Sequence, residues 1–554
     1  MEPPDSAEGD HTLTVLGTSD LHADLLGWDY YADAEAHPAS GLARVAGLVR
    51  KYRSQRPEGS VLLVDSGDTF QGNPLAVYHA ERTDEPHAVA AALNALGYAA
   101  AAIGNHDFNY GLESLARFAR EVNFPLLAAN VYRDDRRAFP AWALVPARVG
   151  GRDLRVGFVG VTTPGSAVWD RDKVAELRFT DLVGAAREAV AEVRAAGADI
   201  VIVLSHSGLG PSSSYGDALP LLENATSLIA AQVPDIDGIV LGHSHESVAA
   251  TVTSVQTGAR VPLLEPSFHG RQLAVLEFDL DLSSDRPRVV AARGNLQETS
   301  GAAMDREIVE LVADQHERVR THIAAPAGEL EERLEGRDAT ITPSPMLDLL
   351  NHVQSRYLHA RLRGSRWEGL PVLSAAAPYG RSSGLPQGSV SIRDIAAIYP
   401  FDNILAARVL TGREVTDYLE HAAAYFALSA GGSDPQTLCG TPTARAPRGT
   451  PDYNFDVLGM ADAVVTYTVD VRRPVGERVS DLRINGGPLG EDEQVVLALS
   501  DYRAGGGGGY PHVRDAPRVE AGTQDIRSLV VDFVRSHSPL RRADLGRTDW
   551  TLLT

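Results

Sequence analysis

The chain has a single cysteine, Cys439. That excludes an intrachain disulfide and any zinc site built on cysteine thiolates. It says little about compartment, because a large apolar core needs no disulfides. No run of 18 apolar residues occurs, so no transmembrane helix is expected. The opening "MEPPDSAEGDH" has neither a basic segment nor an apolar stretch, so no signal peptide is visible. Positive charge is scarce as well. Lys and Arg total 51 against 73 Asp and Glu, giving a formal net charge of -22. A nucleic-acid polymer needs a basic footprint and is excluded as a partner. A small phosphate ester is not, since metals or one Arg can meet its charge locally. What remains is ordinary for a globular protein: 44% hydrophobic and 22% charged residues. At 554 residues the chain is too long for one core, so two or more domains are expected.

The first half alternates strand-like and helix-like stretches. "TLTVLGTSD" (12–20) and "SVLLVDSGD" (60–68) are short apolar runs ending in polar residues. "AAAIGNHD" (100–107), "DIVIVLSHSG" (199–208) and "DGIVLGHSHE" (237–246) repeat the design. Helical spacing fills the intervals, as in "GLARVAGLVRKYR" (41–53), "EPHAVAAALNALG" (85–97) and "DLVGAAREAVAEVRAAG" (181–197). The alternation predicts an α/β sheet, at least partly parallel. In such sheets ligands bind beyond the carboxyl ends of strands. Five predicted ends carry related chemistry: Asp20 and His22; Asp65 and Asp68; Asn105, His106 and Asp107; His206; His243 and His245.

Imidazole together with carboxylate favours Mn, Zn, Co or Fe over an all-oxygen metal such as Mg. Two such ions sharing a carboxylate can activate water for in-line attack on phosphorus. A lone His at a strand end is usually structural, and a lone "GD" is usually a turn. Five ends in order carrying DxH, GD, GNHD, H and GHxH are not explained that way. Asp65 stays outside the metal set, because a carboxylate there can simply hydrogen-bond its loop.

From about residue 285 the character changes. "MDREIVELVADQHERVRTHIA" (304–324) reads as a charged amphipathic helix, and a second domain with helices at 344–358 and 412–426 follows. Its loops hold "LPVLSAAAPYGRSSG" (370–384), "DYNFDVL" (452–458) and "LALSDYRAGGGGGYP" (497–511). Tyr453, Phe455, Tyr502 and Tyr510 flank these loops. Aromatic rings there either belong to the core or stack on a base. Arg381, in a Gly/Ser loop, is either a solvated surface residue or a clamp for phosphate or ribose oxygens.

The strand-end motifs "DLH" (20–22), "GD" (67–68), "GNHD" (104–107), "SHSG" (205–208) and "GHSH" (242–245) resemble the calcineurin-like metallophosphoesterase superfamily. The resemblance implies a four-layer α/β/β/α domain with two divalent metal ions. It implies that Asp20, His22 and His245 bind one ion, that Asn105, His206 and His243 bind the other, and that Asp68 bridges. It makes His106 the catalytic histidine. Asp107 either orients His106 or caps the following helix. With the second domain the chain resembles the 5'-nucleotidase family, and within it the bacterial 2',3'-cyclic-nucleotide 2'-phosphodiesterase/3'-nucleotidase group. "GWDYY" (27–31), "GNHDFNYG" (104–111), "YNFDVL" (453–458) and "YRAGGGGGYP" (502–511) carry that second likeness. It implies that Tyr453 and Tyr502 sandwich the base, with Phe455 as a substitute for the first, and that Arg381 contacts phosphate or ribose.

Three departures bear on the branch. The 5'-nucleotidase pattern has Asp at the place of Gly508, "NGG" where this chain has Ser374–Ala376, and an acid at Asn109, which can orient His106 only by a neutral hydrogen bond. All three fit the cyclic-phosphodiesterase branch better. The resemblance therefore implies a metallophosphoesterase domain at 10–300, a helical linker at 301–340 with a hinge in the charged helix, and an α/β substrate-binding domain at 341–554. The expected partner is a small nucleotide, acted on by a monomer away from nucleic acid and membrane. The expected reaction is hydrolysis of 2',3'-cyclic nucleotides and 3'-nucleotides. Rivals are a 5'-nucleotidase or nucleotide-sugar hydrolase of the same fold, a phosphatase of non-nucleotide esters, and an inactive nucleotide-binding surface protein. Relatives of this kind are periplasmic or secreted, which the missing leader leaves open.

Overall fold

The computed structural model of the chain describes residues 11–554 except 37, 83, 214, 216–218, 285, 380–383, 402, 443–445, 447–448 and 523. They form two compact units, the first running to Arg320 and the second from Thr321 to Thr554.

In the first unit two six-stranded sheets are stacked. One runs Arg288–Glu298, Gln272–Asp281, Thr12–Thr18, Val61–Asp65, Ala100–Ala102, Leu126–Leu127. Its last four strands are parallel, with Thr14 opposite Val61 and Val64 opposite Ala100. The other runs Ser247–Thr253, Arg260–Pro266, Gly238–Leu241, Ile200–His206, Arg152–Thr162, Trp142–Val149, parallel in its four central strands. Both faces of strand Thr12–Thr18 are buried, which is why it reads as a continuous apolar run without alternation. Leu13, Val15 and Val64 of the first sheet meet Phe158, Ile202 and Val240 of the second in one buried cluster. Outside the second sheet, Ala186, Val190 and Val193 of helix Leu182–Ala195 cover Val159, Val201 and Val203. Outside the first, helix Leu42–Gln55 buries Leu42, Val45, Ala46 and Val49 and packs on Val61–Asp65. The result is an α/β/β/α stack.

Helix Arg306–Ala324 is followed by strands Pro326–Leu330 and Leu334–Glu335, whose Ala327, Leu330 and Leu334 belong to the second unit's core. That unit has a five-stranded sheet in the order Val457–Gly459, Val372–Ala376, Gln494–Ser500, Leu405–Thr411, Arg518–Val519. Helices Pro345–Arg361, Gly412–Ala423 and Ile526–Ser536 contribute to the same core. A capping box between Thr411 and Glu414 starts the second of these helices. Among the described residues, no helix is long and apolar enough to cross a membrane.

Candidate metal centre

Strands Thr12–Thr18, Val61–Asp65 and Ala100–Ala102 are consecutive and parallel, so the loops after them leave the same sheet edge. Those loops carry Asp20 and His22, then Asp68, then Asn105 and His106. In the second sheet the adjacent parallel strands Ile200–His206 and Gly238–Leu241 deliver His206, His243 and His245. Asp20, His22 and His245 each offer a ligand atom within 4.8 Å of the others, and Asp20, Asp68 and His206 do the same. Asn105 Oδ1 is 3.1 Å from His206 Nε2. Close approach of the loops requires the motif glycines: a Cβ on Gly104 would lie 2.1 Å from Asp68 Oδ1.

The donor chemistry fits divalent cations. His22 Nδ1 is 2.8 Å from the Gln71 carbonyl and His206 Nδ1 is 2.9 Å from the Ser66 carbonyl. A carbonyl only accepts, so both rings carry a proton on Nδ1 and turn Nε2 inward, the atom each can offer a metal. There His206 Nε2 lies 3.0 Å from Asp68 Oδ2, and His22 Nε2 lies 3.1 Å from His245 Nε2. Asp20, Asp68 and His206 are at most 1% exposed. Burial pulls His206 down, but the charges of Asp68 and Asp20 outweigh it and hold its pKa at about 10. Burial lowers His22 to about 4. Buried negative charge and lone pairs facing one another call for a cation between them. The backbone also departs from its usual range here. Asp20, His22, Asp68, His243 and His245 all have φ between 49° and 84°. Non-glycine residues in that region are uncommon, and such strain clusters at functional sites.

His243 reaches the centre from a different quarter. Its Nε2 is 3.0 Å from Glu223 Oε1 and its ring stacks on Trp169, so Nδ1 is the atom it can offer a metal. Neither Glu223 nor Trp169 lies in a motif that the sequence exposes.

His106 sits beside the cluster, its ring 5.4 Å from that of His22, and its Nδ1 is 2.7 Å from Asn109 Oδ1. Asp107 takes neither role expected of it. Its carboxylate accepts from the backbone N–H groups of Asp68, Thr69, Phe70 and Gly104, clamping one loop of the cluster to the next. Burial and the charge of Asp68 raise its pKa to about 6. Asp65 accepts from Thr18, Thr69 and the Gly67 N–H and faces its own loop.

In the second unit Tyr453 is 43% exposed, at a turn of 3-10 helix, and Tyr502 is half-buried at the start of helix Asp501–Gly505. Phe455 is no alternative to Tyr453. It is 2% exposed and packed among Tyr425, Phe426 and Trp550. The half-turn between positions 453 and 455 sends it into the core. Arg381 lies outside the described residues. The two aromatic loops are tied by Arg503, which is 4% exposed. It forms a two-pronged ion pair with Asp456 at 2.8 and 3.0 Å and donates to Tyr453 O and Asn454 Oδ1. Gly508 stands against this network with φ 75°. A Cβ there would meet Arg503 Nη1 at 2.3 Å and Asn454 Oδ1 at 2.4 Å.

An α/β/β/α stack with this cluster at its strand ends defines a metal-dependent phosphoric ester hydrolase. Residues 13–247 match the family model described as calcineurin-like phosphoesterase, and residues 322–515 match that of the 5'-nucleotidase C-terminal domain. The chain is 30% identical over 541 residues to the 2',3'-cyclic-nucleotide 2'-phosphodiesterase/3'-nucleotidase of Yersinia enterocolitica, covering 89% of this chain and 80% of that protein. It is 29% identical to the trifunctional nucleotide phosphoesterase protein YfkN of Bacillus subtilis, over 94% of this chain and 38% of that longer protein. A 5'-nucleotidase precursor from Thermus thermophilus shares the fold, with a TM-score of 0.62 at 23% identity over 98% of this chain and 99% of that one. The chain belongs to the 5'-nucleotidase family of metallophosphoesterases.

Proposed function

We propose that the protein is a 2',3'-cyclic-nucleotide phosphodiesterase and 3'-nucleotidase. The metallophosphoesterase domain handles the phosphoester and the second domain recognises the nucleoside. The linker is shorter than the expected 301–340, because strands Pro326–Leu330 and Leu334–Glu335 bury Ala327, Leu330 and Leu334 in the second core. Asp20, His22 and His245 would hold one divalent cation, Asn105, His206 and His243 (through Nδ1) a second, with Asp68 shared. Mn, Zn or Co suits this mixture of imidazole, amide and carboxylate. When bound, such ions supply Lewis acidity toward phosphate oxygens and acidify water. In the first step water adds to phosphorus as O2' departs, leaving a 3'-nucleotide. A second water then releases nucleoside and phosphate. His106 meets the departing oxygen, and Tyr453 and Tyr502 stack on the base.

The observation that carries the choice of branch is the crowding at Gly508. A carboxylate at that place would repel a phosphate carried on the ribose 2' and 3' oxygens, because like charges at close range destabilise one another. Here the place is an uncharged glycine at positive φ, where a Cβ would crowd Arg503 and Asn454. With Mn²⁺ the protein is expected to open 2',3'-cyclic AMP and release phosphate from 3'-AMP in preference to 5'-AMP. A wide preference for 5'-AMP would overturn the assignment. Tyr502→Ala is expected to raise KM for 3'-AMP by roughly 5- to 150-fold, the loss of one stacked base. An unchanged KM would point to a non-nucleotide ester.

A further inference from the structure

His106 is backed by an amide where a carboxylate would be the simpler partner. Beyond Asn109 the chain of contacts continues. Asn109 Nδ2 donates to Asp170 Oδ2 at 2.9 Å. Asp170 is 6% exposed, and its other oxygen pairs with Lys173 Nζ at 3.1 Å. Asp170 closes the short helix Ser166–Trp169, so the turn that grips Asn109 also stacks Trp169 on His243.

An amide alone does not choose a histidine tautomer. Turned one way, its oxygen accepts from Nδ1–H. Turned the other, its NH₂ donates to a bare Nδ1 and the proton sits on Nε2. The choice is made at the amide's far end. An ionised carboxylate only accepts, so Asp170 takes the NH₂ side. Lysine only donates, so Lys173 occupies the second carboxylate oxygen. The amide oxygen is left for the ring.

We propose that Asp170 is a positioning residue for His106, acting through the Asn109 amide to fix the Nδ1–H tautomer and turn Nε2 toward the phosphoester. This rests on the phosphoesterase reading of the cluster. The acid of a His–acid pair has been displaced by one amide and supplied from another loop.

A double-mutant cycle on the full metal-loaded chain tests it. Asp170→Ala and Asn109→Ala are each expected to lower kcat on 3'-AMP by about 10- to 100-fold, with KM within about twofold and metal content unchanged. The double variant is expected to fall no more than about threefold below Asn109→Ala, because residues acting in series are not additive. Losses that multiply overturn the proposal, as does wild-type kcat in Asp170→Ala. Asp170→Asn leaves one acceptor for two donors, so it is combined with Lys173→Met. That pair keeps the carbonyl for Asn109 and is expected within about threefold of wild type; a loss in it as deep as that of Asp170→Ala counts against the relay. The same cycle on bis(p-nitrophenyl) phosphate needs no nucleotide recognition. Non-additivity there, without turnover of 3'-AMP, sinks the nucleotide assignment and upholds the relay. Should Asp170→Ala not fold, ring ¹⁵N spectra of the zinc-loaded wild type decide, with His106 assigned through His106→Gln. An Nδ1–H ring supports the relay and an Nε2–H ring overturns it.

Discussion

Asp68→Ala is expected to lower kcat by about 10³-fold or more and to strip the protein of part of its metal. The carboxylate is 1% exposed and lies 3.0 Å from His206 Nε2. Its other oxygen accepts the backbone N–H of His106 at 2.8 Å. It therefore joins residues of both sheets to the loop that carries His106. The near-isosteric Asp68→Asn separates two causes. It keeps an acceptor for the His106 N–H but loses the charge. If it is as inactive as Asp68→Ala, the charge is what matters. Metal analysis and 3'-AMP kinetics on both variants check this, and unchanged metal content with unchanged kcat would remove Asp68 from the centre.

The second large effect lies in the other unit. Asp456→Ala is expected to destabilise it by about 3–5 kcal/mol, because the buried guanidinium of Arg503 loses its counter-charge. At the usual ratio for domains of this size the melting transition falls by roughly 6–20 °C. The Tyr418 hydroxyl, which donates to the same carboxylate, loses its acceptor as well. The paired change Asp456→Leu with Arg503→Met should recover most of that loss, since apolar replacement of a whole buried pair is often tolerated. A thermal melt of the full chain reads all three forms. A shift below about 2 °C for Asp456→Ala would mean the pair is compensated by water. The single variant should also raise KM for nucleotide more than it lowers kcat, since Arg503 joins the loop of Tyr453 to that of Gly507.

The fold and much of the centre were legible because parallel α/β sheets gather their ligands at strand ends. "DLH", "GNHD" and "GHSH" each follow an apolar run, so their convergence could be inferred without coordinates. Asp107 was not legible, because its role depends on which backbone N–H groups a neighbouring loop presents. Phe455 was misplaced for a simpler reason. Two aromatics two residues apart look alike in a string, while a turn of 3-10 helix sends one out and one into the core. Glu223 and Asp170 sit in loops whose composition marks nothing. Their importance comes from contacts across 20 and 61 positions of sequence. Asn109 looked like the loss of an acid, and only the third dimension supplies Asp170 behind it.

Gly508 constrains how this protein can change. Acquiring an acid there takes one codon, yet Arg503 and Asn454 already fill the space. Arg503 Nη1 donates to Asn454 Oδ1 and the Gly507 carbonyl while Nε and Nη2 hold Asp456, so the guanidinium cannot shift without disturbing those bonds. A lineage drifting toward ribose-hydroxyl recognition would have to remodel the guanidinium network first and the glycine afterwards, through intermediates with a weakened second domain. On the proposed reading, position 508 is thus coupled to Arg503 and Asn454 by epistasis, and a single-site screen there should return glycine far more often than any other residue among its well-folded clones.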